Sequence, residues 1–327
     1  MLLFSTLKST LLDWPKDWSK MSLKSRIAPV LAIIAYWIVL KKLNGFRGDH
    51  ISVGLAFIAI HWLGPKLKRL YWFLFPILFA GILYDSQRFF SDFIRATIHV
   101  DLPYLFDKKF FGIKTDQGIL TPNEFLQLNT YPILDFITGL CYLIFIAVYV
   151  FCAAYFVFYL SRKGTKKAPK AQIYEESTLI MWVFFWVNLL GWSTYYWFPA
   201  APPWYIAEYG LGPANLSALP NPAGCLRFDA LFNTHFFTKM YGRSADVFGA
   251  IPSLHVAYPL NTVLFAFRFG ALRIFSVLFF LAMSFAAVYL NHHYILDLLW
   301  GYTYAVITHF LVLHFFYKKK EKALLPK

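Results

Sequence analysis

Apolar runs of about the length that crosses a bilayer recur along the whole chain, and they restrict its fold more than any other feature. They lie at roughly 27–41, 51–64, 70–84, 133–160, 177–199, 254–271, 272–290 and 293–316. Of the 327 residues, 59% are hydrophobic and only 15% are charged, which is unusual for a soluble globular protein. We therefore expect an all-α, polytopic membrane helical bundle with about six to eight transmembrane helices.

Two long loops, at about 85–131 and 200–252, interrupt the apolar runs and are too long to be simple connectors. The first residues mix lysines, aspartates and tryptophans without the pattern of a cleavable signal peptide, which predicts an interfacial amphipathic segment. The chain is expected to divide into an N-terminal part with accessory spans (1–131), a membrane core (132–317) and a basic tail (318–327).

The charge pattern indicates a membrane partner and not a nucleic acid. The net charge is +14, and the basic residues cluster at the ends of apolar runs, where they contact anionic lipids and set topology. One side of the membrane, expected to be cytoplasmic, collects 66–69, 162–170, 318–322, Arg268 and Arg273. The long loops then face the exoplasmic side, although Lys41, Lys42 and Arg47 would lie there too and count against this orientation for the first two spans.

The segment GAIPSLHVAYP, residues 249–259, contains the first candidate catalytic residue. Pro252 fits the first turn of a helix, which would leave backbone N–H groups free to attract phosphate. His255 would lie in that first turn, within reach of a bound group to which it can give a proton. The alternative for a single histidine in an apolar helix is a packing residue.

The segment NHHYILDLLWG, residues 291–301, contains the second motif. His293 and Asp297 are four residues apart and therefore share one helical face. A carboxylate that accepts a hydrogen bond from one ring nitrogen makes the other nitrogen a better nucleophile. The alternative is a pair that hides two polar groups in the bilayer, but charged residues in spans usually mark function.

These two motifs together resemble the type 2 phosphatidic acid phosphatase superfamily. The segments at 201–205 (APPWY), 226–229 (LRFD), 248–255 (FGAIPSLH) and 289–301 resemble, in order, its inositol phosphorylceramide synthase (aureobasidin-resistance) branch. The resemblance covers about residues 178–305 and implies that His293 attacks phosphorus, Asp297 orients it and His255 serves the leaving oxygen. It implies no cofactor and no metal.

The chain departs from the hydrolytic members of that superfamily in its cations. An arginine normally stands six residues before the nucleophile, and here that position is Ala287. An anionic transition state still needs cations or N–H and O–H donors. The candidates for binding phosphate or substrate are Arg243 as first choice, Arg227, Lys239, Ser253, Arg88, Tyr205 and His292.

The resemblance implies a membrane phosphotransferase that moves phosphoinositol from phosphatidylinositol to a ceramide-type hydroxyl. One rival is a lipid phosphate or polyprenyl pyrophosphate phosphatase with the same residues and water as acceptor. A second rival is a non-enzymatic transporter or lipid-binding protein in which the His and Asp residues relay protons or pack. Cys141 and Cys152 share an apolar run and Cys225 stands alone in a loop, so neither a disulfide nor a thiolate metal site is expected.

Overall fold

The computed structural model describes residues 19, 21–43, 45–62, 68–89, 96–242 and 247–324. Four helical stretches in this part of the chain are long and apolar enough to cross a membrane: Leu23–Lys42, Pro132–Lys163, Lys170–Trp197 and Ile295–Lys319. The other four apolar runs also form helices: Gly48–Trp62, Lys68–Ser86, Leu254–Phe269 and Arg273–Tyr289. The prediction of an all-α membrane protein is confirmed.

The first of two compact units, Met1–Ile82, holds helices α1 (Leu23–Lys42) and α2 (Gly48–Trp62) and most of α3 (Lys68–Ser86). Ser22 caps α1 by accepting a hydrogen bond from the amide of Ser25. Indole N–H groups join the first two helices, because Trp37 donates to the carbonyl of His50 and Trp62 to that of Arg26.

The second unit, Leu83–Lys327, is built around five apolar helices. They are α6 (Pro132–Ala154, helical through a π turn to Lys163), α8 (Leu179–Trp197, preceded by the short α7, Lys170–Glu176), α12 (Leu254–Phe269), α13 (Arg273–Tyr289) and α14 (Ile295–Leu324). Helix α12 packs against the other four long helices of this bundle. Helix α12, at whose start the PSLH segment lies, is consequently the central helix of this bundle.

Each long helix of this bundle runs from one end to the other, and consecutive long helices run in opposite directions. The start of α6, the end of α8, the start of α12, the end of α13 and the start of α14 therefore meet at one end, together with 96–131, 198–242 and 247–253. The opposite end carries basic residues: Arg162, Lys163, Lys166, Lys167, Lys170, Arg268, Arg273, Lys318 and Lys319.

The two long loops are folded elements in their described parts. The first contains α4 (Asp101–Phe110), an antiparallel hairpin of β1 (Ile113–Thr115) and β2 (Gly118–Leu120), and α5 (Pro122–Leu128). The second contains α9 (Pro203–Tyr209), α10 (Cys225–Leu231) and α11 (Phe236–Tyr241). Ala200 joins the two loops, because it forms parallel bridges with His99 of the first and Gly249 of the second.

Candidate active site

Two histidines and an aspartate form a continuous chain of contacts at the end of the bundle that carries the folded loops. His293 Nδ1 lies 3.2 Å from Oδ2 of Asp297, and His293 Nε2 lies 3.1 Å from Nδ1 of His255. His293 is 6% exposed and Asp297 is fully buried. With Asp297 ionised, its carboxylate can only accept, and in that state Nδ1 of His293 carries a proton and Nε2 offers its lone pair.

A tight turn between α13 and α14 presents His293, so the prediction that it shares a helical face with Asp297 is wrong, although the two side chains do meet. The turn passes through Asn291, whose φ of 61° lies in the left-handed region that asparagine tolerates better than most residues. The carbonyl of Ala287 accepts the amides of both His292 and His293. The backbone of the last turn of α13 thus fixes where the histidine pair begins.

Asp297 has a structural role at the start of α14 in addition to its contact with His293. Its Oδ2 also accepts the amide of Tyr294 at 2.9 Å, which is how an acidic residue at the third helical position caps a helix. Its Oδ1 is buried without a hydrogen-bond partner among the described residues. The carboxylate that orients His293 is therefore itself fixed to the backbone.

The PSLH segment brings His255 to this pair, but its helix begins later than the sequence predicted. Helix α12 starts at Leu254 with Ser253 as its N-cap, so the prediction that Pro252 occupies the first helical turn is wrong. His255 does lie in that turn. The amide of Ser253 donates to the carbonyl of Asp297 at 3.0 Å, while its buried hydroxyl has no partner among the described residues. The expected phosphate contact of Ser253 stays a prediction.

Aromatic rings enclose the histidines. Tyr142 of α6 stacks on His255, with ring centroids 4.5 Å apart, and on His292, with centroids 5.3 Å apart. The ring of Tyr241 covers the other face of His292 at 4.7 Å. His292 is thus held between two tyrosines, with Nε2 at 3.5 Å from Sγ of Cys225. Its substrate contact stays a prediction.

Arg227 lies beside the turn and is bound by protein groups. Its Nε forms a 2.5 Å ion pair with Asp135, its Nη1 donates to Gln127, and its Nη2 donates to the carbonyl of Tyr289. The guanidinium also lies over the Tyr289 ring. These contacts tie α10 to α6, α5 and the end of α13, and a role for Arg227 in binding phosphate stays a prediction.

The remaining predicted binding residues are Lys239, Tyr205, Arg243 and Arg88. Lys239 is exposed in the last turn of α11. Tyr205 is 1% exposed, and its hydroxyl accepts the amide of Asn215. Arg243 lies outside the described residues, as does the side chain of Arg88, whose backbone belongs to a short 3-10 helix. All of these assignments remain predictions.

Burial favours neutral imidazoles in the turn. It lowers the pKa of His293 below the usual range, although a hydrogen bond with the backbone of Ala250 opposes the shift. Burial also lowers the pKa of His292. A neutral His293 is the form that keeps a ring nitrogen lone pair free for nucleophilic attack.

Sequence reasoning missed three buried residues that contact the site: Tyr142, Asp107 and Asn123. Asp107 in α4 accepts two amides at the start of α14, and Asn123 in α5 donates to the carbonyl of His293. Burial raises the pKa of Asp107 to about 7, and the two amides oppose that shift. All three lie more than a hundred residues from the HHYILD motif, so no local spacing could have revealed them.

Comparison with known proteins connects this geometry to a family. The family model of the PAP2 superfamily matches residues 117–311. The phosphoinositol dihydroceramide synthase of Bacteroides thetaiotaomicron is 32% identical over 289 residues, which cover 87% of this chain and 90% of that protein. The inositol phosphorylceramide synthase catalytic subunit of Schizosaccharomyces pombe is 29% identical over 267 residues, which cover 80% of this chain and 58% of that protein. No solved structure matches the chain.

Proposed function

Because the chain belongs to the PAP2 superfamily, in its inositol phosphorylceramide synthase branch, we propose that it transfers phosphoinositol from phosphatidylinositol to a ceramide-type hydroxyl. The observation that carries this proposal is the contact chain His255–His293–Asp297, which would hold a proton carrier, a nucleophile and its orienting carboxylate in that order. The activities of the two relatives, a phosphoinositol dihydroceramide synthase and an inositol phosphorylceramide synthase, suggest the headgroup and the acceptor class.

The first half-reaction forms a bond between Nε2 of His293 and phosphorus while the bond from phosphorus to the diacylglycerol oxygen breaks. His255 gives its Nδ1 proton to that oxygen, and diacylglycerol leaves. For this step the two histidines share one proton beyond their neutral forms, and the Asp297 carboxylate balances the resulting positive charge. The product is a phosphoinositol group bound to His293.

The second half-reaction reverses the roles. The acceptor hydroxyl attacks phosphorus, His255 takes its proton, and the bond between phosphorus and Nε2 breaks. Inositol phosphorylceramide leaves and the histidine pair regains its shared proton. No net proton is released, because diacylglycerol gains the proton that the acceptor loses. Asp297 stays hydrogen-bonded to Nδ1 and stabilises the cationic ring of the intermediate.

Burial of the histidines favours transfer over hydrolysis in this scheme. The nucleophilic ring is 6% exposed and is covered by the folded loops, which limits the access of water to the intermediate. The protein is an integral membrane protein, so both lipids reach the site by lateral diffusion. We place the site on the exoplasmic side and the C-terminus in the cytoplasm, since basic residues gather at the opposite end of the bundle.

A lipid-transfer assay tests the proposal. Purified protein in liposomes is given phosphatidylinositol and a labelled ceramide in the presence of EDTA, and products are separated by mass spectrometry. We expect labelled inositol phosphorylceramide and an equal amount of diacylglycerol. Phosphate release from phosphatidic acid or a polyprenyl pyrophosphate, without any transfer product, would instead support the phosphatase. Activity that EDTA abolishes and a divalent ion restores would contradict the proposed mechanism.

A further inference from the structure

Asp107 of helix α4 caps the helix that carries Asp297. Its Oδ2 accepts the amide of Ile295 at 2.7 Å, and its Oδ1 accepts the amide of Leu296 at 3.0 Å. The first amides of a helix have no carbonyl partner within that helix, so they need an acceptor from elsewhere. Asp107 is fully buried, so water does not take its place. An acid far away in sequence thus fixes the start of α14.

Asn123 of helix α5 holds the other side of the same turn. Its Nδ2 donates to the carbonyl of His293 and to the carbonyl of Val288, both at 3.0 Å. It is 2% exposed. A single amide group therefore joins the end of α13 to the backbone of the nucleophile.

Helix α5 is itself a rigid support for this contact. Thr121 and Glu124 form a reciprocal capping box at its first turn, where Asn123 lies. Glu124 also accepts a hydrogen bond from the Tyr104 hydroxyl of α4, which links the two short helices. The two capping side chains thus come from one connected element, α4 to α5, outside the apolar bundle.

We propose that Asp107 and Asn123 are positioning residues that set the nucleophilic nitrogen of His293 relative to His255 and Asp297. The inference rests on the proposed phosphoryl transfer at His293. Asn123 fixes the carbonyl of His293 itself, and Asp107 fixes the two amides just before Asp297. Neither side chain contacts an imidazole, so both act through the backbone. Catalysis is sensitive to displacements of about 1 Å, which cost on the order of 100-fold in rate.

The chain offers a matched control for each residue. Asp101 lies in the same helix as Asp107, and its Oδ1 accepts the amide of Gly212. Asn129 follows the same helix as Asn123, and its Nδ2 donates to the carbonyl of Phe125. Asp101→Asn makes the same change from carboxylate to amide, and Asn129→Ala removes a side-chain amide that also donates to a backbone carbonyl, in each case at a place that does not contact the turn.

The test compares Asp107→Asn and Asn123→Ala with Asp101→Asn and Asn129→Ala in the liposome transfer assay. We expect kcat to fall by about 20-fold or more in Asp107→Asn and Asn123→Ala. KM for phosphatidylinositol should stay within about threefold of wild type, because these substitutions displace the catalytic groups and do not remove a contact with the lipid. The two controls should retain kcat within about twofold. Melting temperatures establish that each variant is folded.

Orthovanadate gives a readout that needs no lipid. It mimics the five-coordinate transition state at phosphorus, so its binding, measured by calorimetry, depends on where the histidine nitrogens lie. We expect its Kd to rise by about tenfold or more in Asp107→Asn and Asn123→Ala and to stay near wild type in the controls. If Asn123→Ala does not fold, the positioning role is tested with Asp107→Asn alone, because that substitution keeps the side-chain volume.

Two results would overturn the positioning role. One is a folded Asp107→Asn or Asn123→Ala protein whose kcat and vanadate affinity match its control. The other is a loss confined to KM. If the wild type makes no inositol phosphorylceramide but releases phosphate from phosphatidic acid, the proposed acceptor is wrong, and the same comparison is made on that hydrolysis. The positioning role is then tested by the same ratios of kcat between each variant and its control.

Discussion

Nε2 of His293 and Nδ1 of His255 lie 3.1 Å apart, within hydrogen-bond distance of each other. In the proposed mechanism, the atom that attacks phosphorus and the atom that carries the proton are therefore paired before any substrate binds. A phosphoryl group must take the place of this hydrogen bond, because phosphorus has to approach Nε2 along its lone pair. The donor oxygen then arrives beside the Nδ1 proton that it needs.

Replacing the nucleophile should abolish turnover without unfolding the protein. In His293→Ala we expect kcat to fall by at least about 1000-fold, since no other group can form the covalent intermediate. His235→Ala, at an exposed loop position, is the control and should keep its activity. Poor expression of His293→Ala without a specific loss of turnover per folded molecule would instead support a packing role.

Replacing the carboxylate that contacts His293 should lower kcat nearly as much as replacing His293 itself. Asp297→Asn keeps the side-chain volume but replaces a pure acceptor with an amide, so it no longer enforces a proton on Nδ1 of His293. We expect kcat to fall by about 100-fold to 10,000-fold, by analogy with carboxylates that orient a catalytic histidine. A steady-state assay measures it, and a change below threefold would remove Asp297 from the mechanism.

The pH dependence of kcat/KM should be bell-shaped, because the mechanism needs one shared proton on the histidine pair. Burial lowers the pKa of His293, so this ring stays neutral in the folded protein at pH values where an exposed histidine is charged. The acid limb should therefore lie below about pH 6.5, the ordinary histidine value. The unfolded chain binds more protons there, so the free energy of unfolding should also decrease as the pH falls. An acid limb above that value would contradict a neutral nucleophile.

A methyl group added at Gly301 should push the PSLH segment at the start of α12 away from α14. A Cβ there would lie 2.3 Å from the carbonyl oxygen of Ser253, which is backbone and cannot rotate away. Gly301→Ala should cost about 1–3 kcal/mol of stability and lower kcat, because the start of α12 must move away from α14. Gly81→Ala is the control, since its Cβ would meet nothing within 4 Å. Melting temperature and kcat together measure the effect, and unchanged values in Gly301→Ala would show that this close approach is not needed.

The Tyr142 hydroxyl should contribute more to the reaction than to the fold. It is buried with no hydrogen-bond partner among the described residues, and such a group destabilises the resting protein. A phosphoryl oxygen would supply the missing partner. Tyr142→Phe keeps the ring stacked on His255, so we expect an equal or higher melting temperature with kcat/KM lowered by about tenfold. A variant with wild-type kinetics would show that only the ring matters.

The predictions from sequence were accurate where the signal is local. Each of the eight apolar runs forms a helix, since hydrophobic length and composition depend only on neighbouring residues. The start of α12 was misplaced at Pro252, because the preference of proline for the first turn is weaker than the tertiary contact of Ser253 with Asp297. Arg227 illustrates a third case. Its positive charge was evident from the sequence, but its ion pair with Asp135 depends on how α10 packs on α6.

The sequence by itself determined the membrane class of this protein and identified His293 and Asp297 as neighbours, since they are only four residues apart. The shared helical face predicted for them is wrong, because His293 lies in the turn before α14 and the carboxylate of Asp297, at the third helical position, reaches back to it. Only the tertiary structure decided that His255 meets Nε2 of His293 and that Asp107 and Asn123 hold the turn between them. Those contacts join residues separated by 38, 189 and 170 positions, and packing of whole helices brings them together. No periodicity within the sequence encodes such packing, because it depends on how the buried surfaces of all the helices fit at once.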